Sequence, residues 1–121
     1  MHKVTVLDKK DAINCPICNV IDRIGDKWSL IVLVILSEQP TRFNELKRTV
    51  GDISQKVLTQ VLKNLEQDGY INRTEYHENQ LKVVYELTEM GLSILDPIGE
   101  LIHWAEQNHS KILKNREKYS S

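Results

Sequence analysis

Apolar positions along this chain recur with two different periods, and the changes of period mark out its elements. Pro16 suits the first turn of a helix, where a missing N–H costs nothing. The apolar pattern then runs to Ile24 and stops at Gly25, predicting a helix over 16–24. Residues 26–37 follow, with WSLIVLVIL at their centre. The β-branched content would suit a strand, but the unbroken length over 27–37, between Asp26 and Pro40, predicts a helix buried on most sides. Phe43, Leu46 and Val50 share one face of a short helix over 43–50, which Gly51-Asp52-Ile53-Ser54 breaks.

Ser54 is a good N-cap for a helix running to about Asp68. On it Val57, Leu58, Val61, Leu62 and Leu65 fall within an arc of about 140°, and Gly69 is the expected stop. The period then shortens to two. YINRTEYHE and LKVVYELT read as strands around a turn near Asn79, with Val83, Tyr85 and Leu87 alternating. From Glu89 the helical pattern returns and continues to about Leu113. Asp96-Pro97 interrupts it, predicting a kink or two consecutive helices.

A short helix, a tight turn, a capped amphipathic helix and a two-stranded hairpin make a winged helix-turn-helix. The expected fold is mostly α with a small β-hairpin, flanked by terminal dimerisation helices. Three segments are expected: an N-terminal arm over 1–14, the winged helix-turn-helix domain with its dimerisation helices over 15–113, and a basic tail over 114–121. At 121 residues the chain holds one domain. Chains this short often complete their core by dimerising.

Composition narrows the class little: 40% hydrophobic and 27% charged residues describe an ordinary globular protein. The first fourteen residues lack the apolar core of a signal peptide. The longest apolar run, 28–36, is about half the roughly 20 residues that span a bilayer. A cytoplasmic protein without a membrane partner is expected, with thiols reduced by default. The net charge of −1 argues weakly against nucleic acid, but its distribution matters more. Between Arg42 and Lys63 stand five basic residues (Arg42, Lys47, Arg48, Lys56, Lys63) against Glu45 and Asp52. The segment 111–121 adds four basic residues against Glu117.

Opposite the apolar arc of the fourth helix lie Lys56, Thr59, Gln60, Lys63 and Gln67, with Ser54 and Gln55 at its start. These types suit duplex DNA. Gln pairs bidentately with adenine, Thr meets a thymine methyl, and Lys reaches guanine or phosphate. Recognition helices read bases from their N-terminal half, so Gln55, Lys56, Thr59 and Gln60 are the base-contact candidates. Lys63, Arg42, Lys47 and Arg48 suit phosphates. Any amphipathic surface helix exposes polar residues, but a solvated face usually mixes charge signs. In the hairpin, Arg73 and Lys82 are preferred over His77, Asn79 and Gln80 as wing contacts. Glu75, Glu78 and Glu86 weaken the positive field there.

The segments CPICNVIDRIGDKWSLIVLVIL, RFNELKRTVGDISQKVLTQVLKNLEQDGYINRTEY and VVYELTEMG together resemble the HxlR family of bacterial and archaeal transcription regulators. These are dimeric winged-helix proteins related to the MarR group. The likeness covers about residues 15–104. It implies DNA binding by the helix after Ser54 and dimerisation through terminal helices. In several members the cysteine at the Cys15 position senses oxidants or electrophiles. Cys18 is an addition to the usual pattern, and the wing turn HENQLKVV lacks the prolines often found there. Repression is the family-level expectation.

Ile94, Ile98, Leu101, Ile102 and Ala105 form a stripe with three-four spacing that suits a dimer seam, or packing on its own domain. A palindromic operator needs two half-sites, which favours a homodimer. The pair Cys15 and Cys18 leaves four readings open. A thioredoxin-type site needs a preceding strand and an α/β fold. A zinc site needs four ligands, and no second pair shows ligand spacing. Inert buried thiols behave as small hydrophobes. A redox switch would use Cys15, at a helix N-terminus that favours the thiolate, as attacking thiol and Cys18 as resolving partner.

The leading expectation is a sequence-specific regulator binding double-stranded DNA as a homodimer. The alternative is a winged-helix protein-interaction module without DNA binding, its cysteines structural. No nucleophile–base constellation or Gly-rich phosphate loop stands in the chain, so an enzyme is not expected, nor a cofactor or metal. The pattern names no small-molecule effector.

Overall fold

The computed structural model describes residues 14–120. Its elements, in order, are α1 (Pro16–Ile24), α2 (Lys27–Leu36), α3 (Phe43–Val50), α4 (Gln55–Gln67), β1 (Ile71–His77), β2 (Leu81–Leu87), α5 (Glu89–Ser93) and α6 (Leu95–Ser120). Apart from Asn14, the expected N-terminal arm lies outside the described residues.

The first helices start where side chains replace missing hydrogen bonds. Cys15 caps α1, its sulfur accepting from the Cys18 amide. Asp26 caps α2 twice over, taking the Ser29 amide and hydroxyl at 2.8 Å each. That is how the buried Ser29 is satisfied. Helix α2 is less enclosed than its apolar run suggests. Ser29, Val32, Leu33 and Leu36 face inward, while Ile31 and Val34 are 37% and 39% exposed. The buried positions recur at i, i+3, i+4 and i+7, a single face of the helix.

The core collects Val32, Leu33 and Leu36 of α2, Leu46 of α3, Leu58, Leu62 and Leu65 of α4, and Ile71 of β1. Each such side chain contributes about 1.5–3 kcal/mol on burial. Gly69, at φ +85°, turns the chain out of α4 into β1, where a Cβ would be strained. The strands pair antiparallel from Ile71 opposite Leu87 to His77 opposite Leu81. A third, one-residue strand joins them. Thr41 exchanges both backbone hydrogen bonds with Tyr85, each 2.9 Å, tying the wing to the start of α3.

The chain leaves β2 through Thr88, which caps α5 and whose hydroxyl also lies on the Gly69 and Tyr70 carbonyls. Gly91 packs so closely there that a Cβ would run into the Tyr70 carbonyl. The expected interruption is present, but at Ile94 rather than at Asp96-Pro97. Pro97 falls in the first turn of α6, where its missing donor breaks no bond. Helix α6 then passes Leu113 and reaches Ser120, so 114–120 continue the helix rather than forming a separate tail. After Gly99 the chain has no Gly or Pro to stop it.

Candidate nucleic-acid interface

Helices α3 and α4 are joined by residues 51–54. Gly51 takes φ +91°, a conformation that reverses the chain without strain only at glycine. Ser54 then accepts the Val57 amide at 3.1 Å and fixes where α4 begins. Leu58, Val61, Leu62 and Leu65 anchor one side of α4 in the core. The opposite side is thereby aimed outward: Gln55, Lys56, Gln60 and Lys63 are exposed and Thr59 is half-buried, with Ser54 exposed at the start. The Gln60 amide nitrogen donates to Asn64 Oδ1 at 2.9 Å, which restricts that side chain before any ligand arrives. Lys56 and Lys63 make no ion pair among the described residues.

Val57 departs from the expected inward arc. It is 39% exposed, because it lies at the edge of that arc and the neighbouring elements do not reach it. An apolar side chain is thus presented in the first turn of α4, beside Gln55 and Lys56. Its edge position was the available signal.

The remaining cationic candidates fall into two groups. Arg42, Arg48 and Lys82 line one groove of about 470 Å³ between α3 and β2, with Tyr76 beside them. Arg42 stands at the N-cap of α3 and leaves that helix start without a side-chain cap. Arg48 is held by Glu45, three residues back, with its Nε at 3.0 Å. Tyr76 was not singled out from sequence; its place opposite Lys82 in the strand register brings it there. Lys47 is half-buried on α3 and lies outside this groove. Arg73 lies on the wing, where it holds Glu75 at 3.0 Å, and His77 adds a contact to the same carboxylate at 3.3 Å. The hydrogen bond to Glu75, followed by one to Tyr85, raises the Arg73 guanidinium above its usual value. In return Arg73 holds the Glu75 carboxyl below the usual carboxylate value.

A family model, HxlR-like helix-turn-helix, matches residues 23–113. The chain belongs to the HxlR-like helix-turn-helix family. It is a transcription regulator of the helix-turn-helix type and not an enzyme. It is 36% identical over 107 residues to the helix-turn-helix-type transcriptional regulator YtfH of Escherichia coli K12, itself uncharacterised; the match covers 88% of this chain and 85% of that one. The redox regulator HypR, in its reduced form, superposes with a TM-score of 0.76 at 34% identity, covering 82% of this chain and 98% of that chain. A structure assigned to the MarR family, from Enterococcus faecalis V583, gives a TM-score of 0.71 at 32% identity, over 94% and 99% of the two chains. The winged-helix expectation is borne out by these neighbours and by the hairpin.

Several pieces that carry the HxlR resemblance have physical duties here. Asp26 caps α2, Ser54 caps α4, and Thr88 with Gly91 seats α5 against Tyr70. Asp68, at the C-cap of α4, receives both Nε and Nη2 of Arg23 at 2.7 and 3.3 Å. This ion pair joins α1 to the end of α4 and raises the Arg23 guanidinium. At the other end of α1 the Cys15 and Cys18 sulfurs are bonded to each other, their Cα atoms 5.2 Å apart.

The apolar stripe of the last helix is divided between two environments. Ile98 is 5% exposed and belongs to the domain's own core, against which Ile94 also packs. Leu101, Ile102 and Ala105 are exposed, the first two at 57% and 43%. Together with Leu30, Ile31, Val34 and Ile35 of α2, the stripe borders an apolar groove of about 270 Å³. No helix among the described residues is long and apolar enough to cross a membrane.

Proposed function

We propose that the protein binds a palindromic double-stranded operator as a homodimer, one α4 in the major groove of each half-site, and represses transcription from it. Gln55, Lys56, Thr59 and Gln60 read base edges, with Val57 against a thymine methyl. Arg42, Lys47, Arg48 and Lys63 hold phosphates, Ser54 lies at the entry of α4, and Arg73 and Lys82 follow the flanking backbone from the wing. The observation that carries this reading is the face of α4. Its leucines are sunk in the core while Gln55, Lys56 and Gln60 stand exposed in the N-terminal half, with Lys63 further along the same face.

The homodimer is supported by apolar surface that one domain leaves uncovered: Leu101, Ile102, Trp104 and Leu113 on α6, with Ile31 and Val34 on α2. At 26 residues α6 is about 39 Å long, enough for an extended seam. Leu101→Glu with Ile102→Glu turns the dimer into monomers in analytical ultracentrifugation.

The third part of the reading is a redox switch. HypR is described as a redox regulator, and this chain carries a bonded cysteine pair at the start of α1. Oxidation of the pair, with Cys15 at the helix N-terminus, changes DNA affinity in the cytoplasm.

Selection of bound duplexes from a random pool, followed by salt titration on the selected site, tests the whole. A palindromic consensus and a steep fall of affinity with salt are expected. Absence of duplex binding at low salt would leave the protein-interaction module as the better description.

A further inference from the structure

Resting on the reading that Gln60 touches a base edge, we infer that Asn64 is a positioning residue for that contact. It fixes which atom of the Gln60 amide meets the base, and so makes the contact select amino bases over keto bases. A glutamine amide left to itself is an adaptable reader. Turned one way it offers an oxygen to the amino group of adenine or cytosine; turned over, it offers N–H to the keto oxygen of guanine or thymine. One turn on along α4, Asn64 shares a helix face with Gln60. Its Oδ1 accepts from Gln60 Nε2 at 2.9 Å. One hydrogen of that nitrogen is thereby committed, and Oε1 with the second hydrogen is left for a ligand. Those two groups complement the amino group and the ring nitrogen that adenine shows in the major groove.

What keeps the amide from turning over is the cost of the reversed state. Rotating Gln60 alone would set its Oε1 against Asn64 Oδ1, two acceptors face to face. In water either oxygen could take a hydrogen bond from solvent. Against a base edge water is excluded, and an acceptor without a donor is costly there. A reversal therefore needs both amides to turn together. Asn64 is half-buried whereas Gln60 is exposed, so the anchor is the more confined of the two. Gln55 supplies the contrast on the same helix. Its side chain has no hydrogen bond among the described residues and is free to turn either way.

The test uses the full-length protein on the selected operator, with fluorescence anisotropy on all four base pairs at one position. Gln60→Ala finds that position, as the one where it removes the wild-type preference. There the wild type should hold adenine or cytosine at least about tenfold tighter than guanine or thymine. Asn64→Ala should narrow that ratio to below about threefold. Alanine is the better helix former, so such a loss is not a folding defect. Asn64→Asp can only accept; it should keep the ratio while its charge weakens all four sites alike. A ratio unchanged in Asn64→Ala overturns the inference, as does a ratio lost in Asn64→Asp as well. Failure of the underlying reading looks different: Gln60→Ala then leaves the preference intact at every position, and the inference falls with it. NMR relaxation of the Gln60 side-chain amide adds a measurement without DNA. It should show an ordered amide in the wild type and Asn64→Asp and a mobile one in Asn64→Ala. A mobile Gln60 amide in the free wild type overturns the inference while leaving the operator reading standing.

Discussion

The exposed face of α4 and the wing both carry cations, yet they hold them differently. Lys56 and Lys63 of α4 project without a carboxylate partner among the described residues, whereas Arg73 of the wing is engaged by Glu75. On α3 Arg48 is likewise engaged by Glu45, while Arg42 and Lys47 have no ion pair among the described residues. A cation already paired adds little net field and must trade one anion for another to reach a phosphate. Basic residues counted along a chain therefore overstate the binding surface. Lys82 of β2 has no ion pair among the described residues either, so within the wing the contrast rests on Arg73, whose charge Glu75 offsets.

The largest effect comes from removing what aims α4. Leu58 is fully buried, and Leu58→Ala should cost about 2–5 kcal/mol in chemical denaturation. A cost below about 1 kcal/mol would mean the face is not set by the core.

Next comes the contrast itself. Lys56→Ala and Lys63→Ala should each weaken duplex binding about three- to tenfold and lower the salt slope by about one. Arg73→Ala should change affinity less than about threefold. Equal losses from all three would erase the distinction between the two regions.

Releasing the wing sharpens it. Glu75→Gln frees Arg73 and should tighten binding about two- to threefold with a steeper salt dependence in fluorescence anisotropy. The sign with pH follows from the lowered Glu75 carboxyl. The Arg73–Glu75 pair is fully present above the usual value of 4.5 and is lost as pH falls through the depressed one. In an NMR titration Glu75 should have its midpoint below 4.5, returning toward it in Arg73→Ala. A midpoint unmoved by that substitution would dissolve the pair as the cause.

The smallest effect concerns Val57. Replacing thymine by uracil in the selected site should cost the wild type about three- to fourfold at one position, and Val57→Ala should abolish that preference.

Much of this architecture was legible before any coordinates. Pro16 and Gly25 bound α1, and Gly51 with Ser54 separates α3 from α4, because breakers and caps act on their immediate neighbours. The order of elements then gave the winged helix-turn-helix. Illegible were features that depend on chain segments far apart. The single pairing residue Thr41 has no period to betray it, and the bond between Arg23 and Asp68 spans 45 positions. Exposure of Val57 and burial of Cys15 depend on which neighbours arrive, which helical periodicity does not specify. The split of the last helical stripe had the same origin. Spacing put Ile98 and Leu101 on one side, but only packing against α2 decided that the first is enclosed and the second is not.

The two hydrogen bonds between Thr41 and Tyr85 make the hairpin and the start of α3 a single rigid jig. A tool of fixed gauge measures as well as grips. In the proposed complex the span between a base pair under α4 and the sugar-phosphate flank beneath the hairpin would be set by the protein, so inserting one extra base pair between them should leave that flank out of reach.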